Sequence, residues 1–197
     1  MNRRSLNRRS LCLLVSLIAA LGVGVAHGKE CQGVSFPEQL QSGGGTLTLN
    51  GLGLRQATMF KVDVYVAALY VAQTSGDANA ILESNTPKEL ILHFVRDVDS
   101  DDLSKGWDEG FENNAQSQLP VLEERIESFK GLMTDMKSGQ RLRFVYKPGA
   151  GTQVDVDGTV KGTIEGDDFA RALFSIWLGS RPPNADLKAG LLGGECG

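Results

Sequence analysis

GLGLRQATMFKVDVYVAALYV, residues 51–71, is the stretch that decides the fold of this chain. Its first glycines predict a tight turn, and from Phe60 onward apolar residues recur with period two, which predicts a strand. From Val64 onward both faces of that strand are apolar, so we expect it to be covered on both sides. Arg55 stands between the turn and the strand. A guanidinium there would form the polar end of a pocket for an amphipathic organic anion.

The rest of the chain carries strand and helix patterns in separate blocks. Strand patterns occupy residues 46–50, 89–94 and three short runs between 141 and 164, where Leu142, Phe144 and Tyr146 share one face. Helix patterns occupy residues 77–84, 99–135 with a break at Leu119-Pro120, and 167–178. Antiparallel strands in succession, with helices grouped in two blocks, predict an α+β fold and not a Rossmann-type alternation.

The N-terminus has the pattern of a secretory signal. MNRRSLNRRS is basic, about 15 apolar residues follow, and Ala26-His27-Gly28 supplies a small-x-small cleavage site. The apolar run is shorter than the roughly 20 residues that a membrane span needs, which disfavours a retained anchor. We therefore expect residues 1–28 to be a cleaved signal peptide. Residues 29–197 would form a single periplasmic or secreted domain with no transmembrane anchor.

The charge of the mature chain argues against a nucleic-acid partner. Cleavage removes four of the 20 basic residues and none of the 24 acidic ones, leaving a net charge of −8. Phosphate binding needs a basic face, and no Lys/Arg cluster occurs in residues 29–197.

Few catalytic or metal-binding patterns are present. His93 is the only histidine left after cleavage, and its strand setting is typical of a sheet histidine. No G-x-S-x-G elbow occurs, the glycine-rich stretches lack the context of a nucleotide loop, and no zinc-ligand spacing is found. Paired acids such as Asp101-Asp102 and Asp167-Asp168 stand where helices begin, and helix N-termini stabilise negative charge. We therefore predict no metal and no cofactor.

Two cysteines remain in the mature chain, Cys31 and Cys196. In an oxidising compartment such a pair indicates a disulfide more readily than a metal site. The alternative is two free thiols near the two ends. A bridge would tie the termini together without touching the pocket.

Four segments together resemble the chalcone isomerase superfamily. Besides residues 51–71, these are WDEGFENNA at 107–115, the strand region 137–164, and DDFARALFSIWLG at 167–179. The similarity covers roughly residues 46–192 and is strongest to the bacterial, secreted, chalcone-isomerase-like branch. The resemblance implies an open-faced sandwich, in which a large antiparallel sheet is covered by a layer of helices with the ligand cleft between them.

The resemblance also assigns roles to single residues. It implies that Arg55 holds the anionic end of the ligand, and that in catalytic members this arginine orients a phenolate for an intramolecular Michael addition. Asn114 matches the family's asparagine on the ligand-lining helix, which implies that it binds the ligand. Tyr65 and Ile176 stand where catalytic members carry threonine, and Trp107 where they carry tyrosine. Indole has no acid/base role and isoleucine forms no hydrogen bond, so these changes disfavour chalcone isomerisation.

The first hypothesis is therefore binding of a small amphipathic carboxylate. Arg55 and Tyr65 would hold the carboxylate of a fatty acid, as the resemblance to non-catalytic plastid members suggests. An apolar sleeve would be formed by Trp107, Phe111, Phe174 and Trp177, with Ile176 also among the ligand-binding residues. The alternative is that Trp107, Phe111 and Trp177 are ordinary core residues at helical spacing. The second hypothesis is an isomerase, or intramolecular lyase, acting on a conjugated carbonyl substrate with Arg55 as electrostatic catalyst. The third is a ligand-free interaction module whose cleft is closed by Tyr65 and Trp107. The sequence does not predict the oligomeric state.

Overall fold

The computed structural model of the protein describes residues 28–196. Nine strands are formed: β1 Gly28–Cys31, β2 Val34–Pro37, β3 Gln39–Ser42, β4 Gly45–Ala57, β5 Val62–Val71, β6 Lys88–Phe94, β7 Arg141–Lys147, β8 Gly151–Val156 and β9 Thr159–Ile164. The helices are α1 Ala78–Glu83, α2 Ser100–Ala115, α3 Leu119–Lys130, α4 Asp167–Leu178 and α5 Ala185–Leu191. Strands β3 to β9 form one antiparallel sheet in chain order, and β1 pairs with β2 alone.

Strand β5, an interior strand of the sheet, is buried on both faces, as its sequence predicts. One set of its side chains, from Tyr65 to Val71 at every second position, packs in the same cluster as the buried residues of the helices. The alternate set, Val66, Ala68 and Tyr70, packs on the other face with Phe36 of the β1–β2 hairpin. We call these the helix face and the outer face of the sheet.

Helix α4 lies at the centre of the helix layer. Nine of its twelve residues are buried, so it is enclosed by the sheet on one side and by neighbouring helices on the other. Helix α2 packs closely against α4 at Gly110, since a Cβ atom at this position would press on the side chain of Ile176. The α+β prediction, a large antiparallel sheet with helices on one face, is confirmed.

The predicted turn at the first glycines is wrong. Residues 51–55 continue strand β4, and the chain reverses at residues 58–61, so that Phe60 lies in the turn and not in the strand. The glycines are explained by helix α5, which packs across β4. A Cβ atom at Gly51 would overlap the carbonyl oxygen of Gly190, and one at Gly53 would overlap that of Leu187.

Other local predictions hold with small shifts. Pro120 lies in the first turn of α3, at the predicted break between two helices. The side chain that caps α2 is Asp99, the residue at which the predicted helical pattern starts, and it accepts from the backbone of Asp102. The first turn of α2 holds Asp101 and Asp102, where the helix dipole favours negative charge.

The structure contains the Cys31–Cys196 disulfide, with 5.9 Å between the two Cα atoms. The bond joins β1 to the end of the chain beside the outer-face cluster. The predicted signal peptide lies outside the described residues except for Gly28, so it stays a prediction. None of the helices within residues 28–196 combines the length and apolar character that a membrane span requires.

Candidate functional site

A cleft of about 650 Å³ opens between the sheet and the helix layer. Its walls come from β4 and β5, from α2, from the loop between β6 and α2, and from the segment after α4. This volume lies within the range of roughly 300–1,000 Å³ that is typical of small-molecule sites. Four residues predicted for the site lie on its walls: Arg55, Tyr65, Trp107 and Ile176.

Arg55 and Tyr65 are direct cross-strand partners of β4 and β5, so both side chains lie on the helix face. The Arg55 guanidinium is held by the segment that precedes α5. One terminal nitrogen, Nη1, donates to the carbonyl of Gln56, to Asn184 Oδ1 at 3.0 Å and to the Pro183 carbonyl at 3.4 Å. Every side-chain hydrogen bond from Arg55 to residues 28–196 uses this nitrogen, which leaves Nε and Nη2 without partners in this part of the chain.

Tyr65 is buried at the inner wall of the cleft. Its hydroxyl oxygen accepts a hydrogen bond of 3.0 Å from Trp177 Nε1. Within the described part of the chain the hydroxyl proton has no acceptor. Burial raises the pKa of Tyr65, although the Trp177 hydrogen bond and the Arg55 charge act in the opposite direction. Tyr65 is therefore a neutral hydrogen-bond donor.

Trp107 belongs to α2, and its ring separates the cleft from the aromatic core. The ring packs against Phe129, Phe144 and Trp177, with centroids 5.9, 5.9 and 5.6 Å away. Its Nε1–H is buried and has no hydrogen-bond partner among residues 28–196. The Phe144 ring stands nearly perpendicular to the indole at 82°, a geometry that suits the positive edge of one ring against the negative face of another.

The other predicted residues lie elsewhere. Trp177 and Phe174 both belong to the core, and Trp177 contacts the site through its hydrogen bond to the Tyr65 hydroxyl. Phe111 lines a separate groove of about 400 Å³ between α2 and α3. Asn114 fixes the segment after α4, because its Oδ1 accepts from the Arg181 backbone at 2.9 Å and its Nδ2 donates to the Arg181 carbonyl at 2.9 Å.

The sequence analysis missed the charged mouth of the cleft. Two arginines and four acids line it: Arg96, Arg181, Asp97, Asp99, Asp102 and Glu109. Hydrogen bonds from the Ser138 backbone and the Lys137 side chain lower the pKa of Asp97. Apart from the acids of α2, these residues lie in loops. No periodicity in the sequence marks them as neighbours.

Residues that would support metal or histidine chemistry are not gathered here. Within residues 28–196 no three His, Cys, Asp or Glu side chains form a group that could hold a metal ion. His93 pairs with Val66 in register and therefore lies on the outer face, away from the cleft. Burial lowers the pKa of His93, and the charge of Arg141 lowers it further.

The chain belongs to the chalcone isomerase-like family, whose pattern matches residues 28–193. Among solved structures it is similar to the crystal structure of the Arabidopsis thaliana fatty-acid binding protein AtFAP1, with a TM-score of 0.65. The two share 16% sequence identity over 81% of this chain and 92% of the other. No curated protein matches the sequence significantly. These comparisons confirm the predicted family and the predicted fold.

Proposed function

We propose that this protein binds a long-chain carboxylate, most simply a fatty acid, in the cleft that contains Arg55 and Tyr65. The observation that carries the proposal is the pairing of these two side chains on one wall of an open cleft. Within residues 28–196 two guanidinium nitrogens of Arg55, Nε and Nη2, have no partner, and the Tyr65 hydroxyl proton has no acceptor. Both groups suit the two oxygens of a carboxylate.

The remaining walls suit a hydrocarbon chain. Val64, Leu103, Trp107 and Ile176 present apolar surface to the cleft. Each methylene that leaves water contributes about 0.8 kcal/mol, so even a partly enclosed chain offsets the cost of its ordering. The similar fold of a protein named as a fatty-acid binding protein supports this ligand class.

Binding explains the cleft better than turnover does. Ring closure of a chalcone needs groups that position and protonate the substrate, and Trp107 and Ile176 offer neither a phenol nor a hydroxyl. The raised pKa of Tyr65 makes it a poor base at neutral pH. An interaction module with a closed cleft is also less consistent with an open volume of about 650 Å³.

We propose a periplasmic or secreted location for the mature protein. The basic and apolar pattern of residues 1–28 supports export. The Cys31–Cys196 disulfide supports an oxidising compartment, because such bonds rarely persist in a reducing cytosol.

The test is a titration of oleate into wild type and four variants by calorimetry, with tryptophan fluorescence as a second signal. Arg55→Ala should weaken binding more than tenfold, because a charge-assisted hydrogen bond is worth about 1.5–3 kcal/mol. Arg55→Lys should recover part of that loss. Arg96→Ala removes an equal charge from the mouth, and Asn184→Ala releases the Arg55 anchor. Both controls should stay within about threefold of wild type. Equal affinity across all five proteins, or no wild-type binding, would contradict the proposal.

A further inference from the structure

The turn between β4 and β5 exposes two large apolar side chains side by side. Met59 is 88% exposed and Phe60 is 82% exposed. Within residues 28–196 the other strongly exposed large hydrophobic residues are Val121 and Val160, on α3 and β9. Those two are smaller and lie on different elements. We call residues 58–61 the apolar tip.

The backbone of the apolar tip has an unusual conformation. Thr58 and Lys61 have backbone φ angles of 62° and 51°. These values lie in the left-handed region, which few residues other than glycine and asparagine adopt. The Lys61 N–H donates to the Thr58 carbonyl at 3.2 Å, and the Phe60 N–H donates to Thr58 Oγ1 at 3.3 Å. These bonds hold Met59 and Phe60 at the apex of the turn.

The apolar tip is continuous with the cleft. Ala57 and Thr58 line the cleft, and Met59 follows directly in the chain. Only three residues separate Arg55 from Met59, so a surface that covers the apex also reaches the entrance to the site. A ligand passing between that surface and the cleft would cross the apolar tip.

We propose that the apolar tip inserts into the surface of a lipid bilayer, so that fatty acid passes between bilayer and cleft without crossing bulk water. The proposal rests on the proposed function, because a long-chain carboxylate partitions into bilayers. Two side chains are far too few for a stable protein interface, which buries roughly 800 Å² on each partner. They suffice for shallow, reversible insertion, in which Lys61 lies level with the lipid phosphates.

The charges around the cleft indicate which bilayer is preferred. Four acids and two arginines line the mouth of the same cleft, so acids are in excess there and an anionic surface would on balance repel the mouth. A zwitterionic surface carries no such penalty. The probe is therefore a vesicle of phosphatidylcholine, with a second set that contains an anionic lipid.

The first experiment measures binding of the ligand-free protein to these vesicles by flotation. Met59→Ser/Phe60→Ser should bind at least about tenfold more weakly than wild type, because burying each of these side chains in hydrocarbon is worth roughly that factor. Val121→Ser/Val160→Ser removes exposed apolar area elsewhere and should bind as wild type does. Equal binding by all three proteins overturns the proposal. So does an apolar-tip variant that converts a wild-type dimer to a monomer, because the tip is then an interface between copies.

The second experiment follows transfer of a fluorescent fatty acid from protein to vesicles that contain a quencher. The wild-type rate should rise with vesicle concentration, as transfer by collision requires. The Met59→Ser/Phe60→Ser rate should fall at least tenfold while its affinity in solution stays within twofold. A wild-type rate independent of vesicle concentration overturns transfer at the membrane. Vesicle binding that depends on the apolar tip, in a protein with no affinity for fatty acid, refutes the proposed function and supports the membrane surface alone.

Discussion

The indole nitrogen of Trp177 donates a hydrogen bond of 3.0 Å to the hydroxyl oxygen of Tyr65. The two residues are 112 positions apart, on α4 and β5, and both are buried. Phe94 meets the Tyr65 ring edge-on at 5.6 Å. Because Trp177 donates to the hydroxyl oxygen, the tyrosine keeps its own proton for an acceptor in the cleft. The central helix thus orients a polar group of the site.

Removing the Tyr65 hydroxyl should affect both stability and binding. Tyr65→Phe leaves the buried Trp177 N–H without an acceptor, which costs about 1–3 kcal/mol of the free energy of unfolding. It also removes one donor to the ligand, so oleate affinity should fall severalfold. Trp177→Phe added to Tyr65→Phe should cost less than the two single changes together. Urea unfolding of the four proteins measures this coupling, and additive free energies would contradict the pairing.

A second buried polar group is Lys88, the first residue of β6. Lys88 is buried, and its Nζ donates to the carbonyls of Ile81 and Ser84 at the end of α1, over 2.7 and 2.8 Å. Burial lowers the pKa of Lys88 to about 8, and the charge of Arg171 acts in the same direction. Lys88 is therefore protonated to a smaller extent in the folded protein than in the unfolded chain between pH 8 and the ordinary lysine pKa of 10.5.

The contribution of Lys88 to the stability of the protein should consequently rise with pH in that window. The unfolded chain holds the extra proton, so the Lys88 contribution to the free energy of unfolding increases by up to about 1.4 kcal/mol per pH unit. Lys88→Met removes this contribution. Urea unfolding of both proteins at pH 7.5, 8.5 and 9.5 gives the difference directly. A difference that does not change with pH would show that Lys88 titrates normally.

Much of the fold was readable from local periodicity. The double-sided burial of β5 followed from apolar residues on both faces from Val64 onward, and the meander from Leu142, Phe144 and Tyr146. Helix α5 was missed because seven residues give too short a pattern. The role of Gly51 and Gly53 was misread for another reason. A glycine that allows a neighbouring helix to pack closely has the same sequence signal as a glycine in a turn.

The site was less predictable than the fold. Arg55 and Tyr65 were placed in the site from strand position and resemblance, and the structure pairs them directly across β4 and β5. Trp177 was expected to line the cleft, but it is a core residue that donates a hydrogen bond to the Tyr65 hydroxyl. Which of the two positions it takes depends on how α4 is rotated against the sheet. The mouth of the cleft brings together residues from distant loops, such as Arg96 and Arg181, which are 85 positions apart in the sequence. Only the tertiary fold brings such loops together.

The disulfide should stabilise the fold without shaping the cleft. Cys31 and Cys196 close a loop of 165 positions, which is worth up to about 5 kcal/mol in the chain-entropy model. The bond lies with the outer-face cluster, whereas the cleft is on the helix face. Cys31→Ser/Cys196→Ser should unfold at lower urea concentration and bind oleate within twofold of wild type. An unchanged unfolding midpoint would contradict the stabilising role.

Two glycines offer a matched test of packing. A Cβ atom at Gly53 would overlap the Leu187 carbonyl oxygen, which belongs to the backbone of α5 and cannot turn away. Gly53→Ala should therefore destabilise the protein by about 1–3 kcal/mol or more. A Cβ atom at Gly106 in α2 meets nothing within 4 Å, so Gly106→Ala should add up to about 1 kcal/mol of helix stability. Urea unfolding measures both changes, and equal effects would contradict the packing of α5 on β4.

Gly106 also allows the cleft to be filled without disturbing the core. It lines the cleft and faces open space, so a phenylalanine there would occupy part of the 650 Å³ while the fold stays intact. Gly106→Phe should weaken oleate binding at least tenfold, and Gly106→Ala should stay near wild type because a methyl group takes little room. Calorimetric titration measures the affinity, and circular dichroism confirms the fold of each variant. If Gly106→Phe binds as wild type does, the ligand occupies another site and the roles proposed for Arg55 and Tyr65 do not hold.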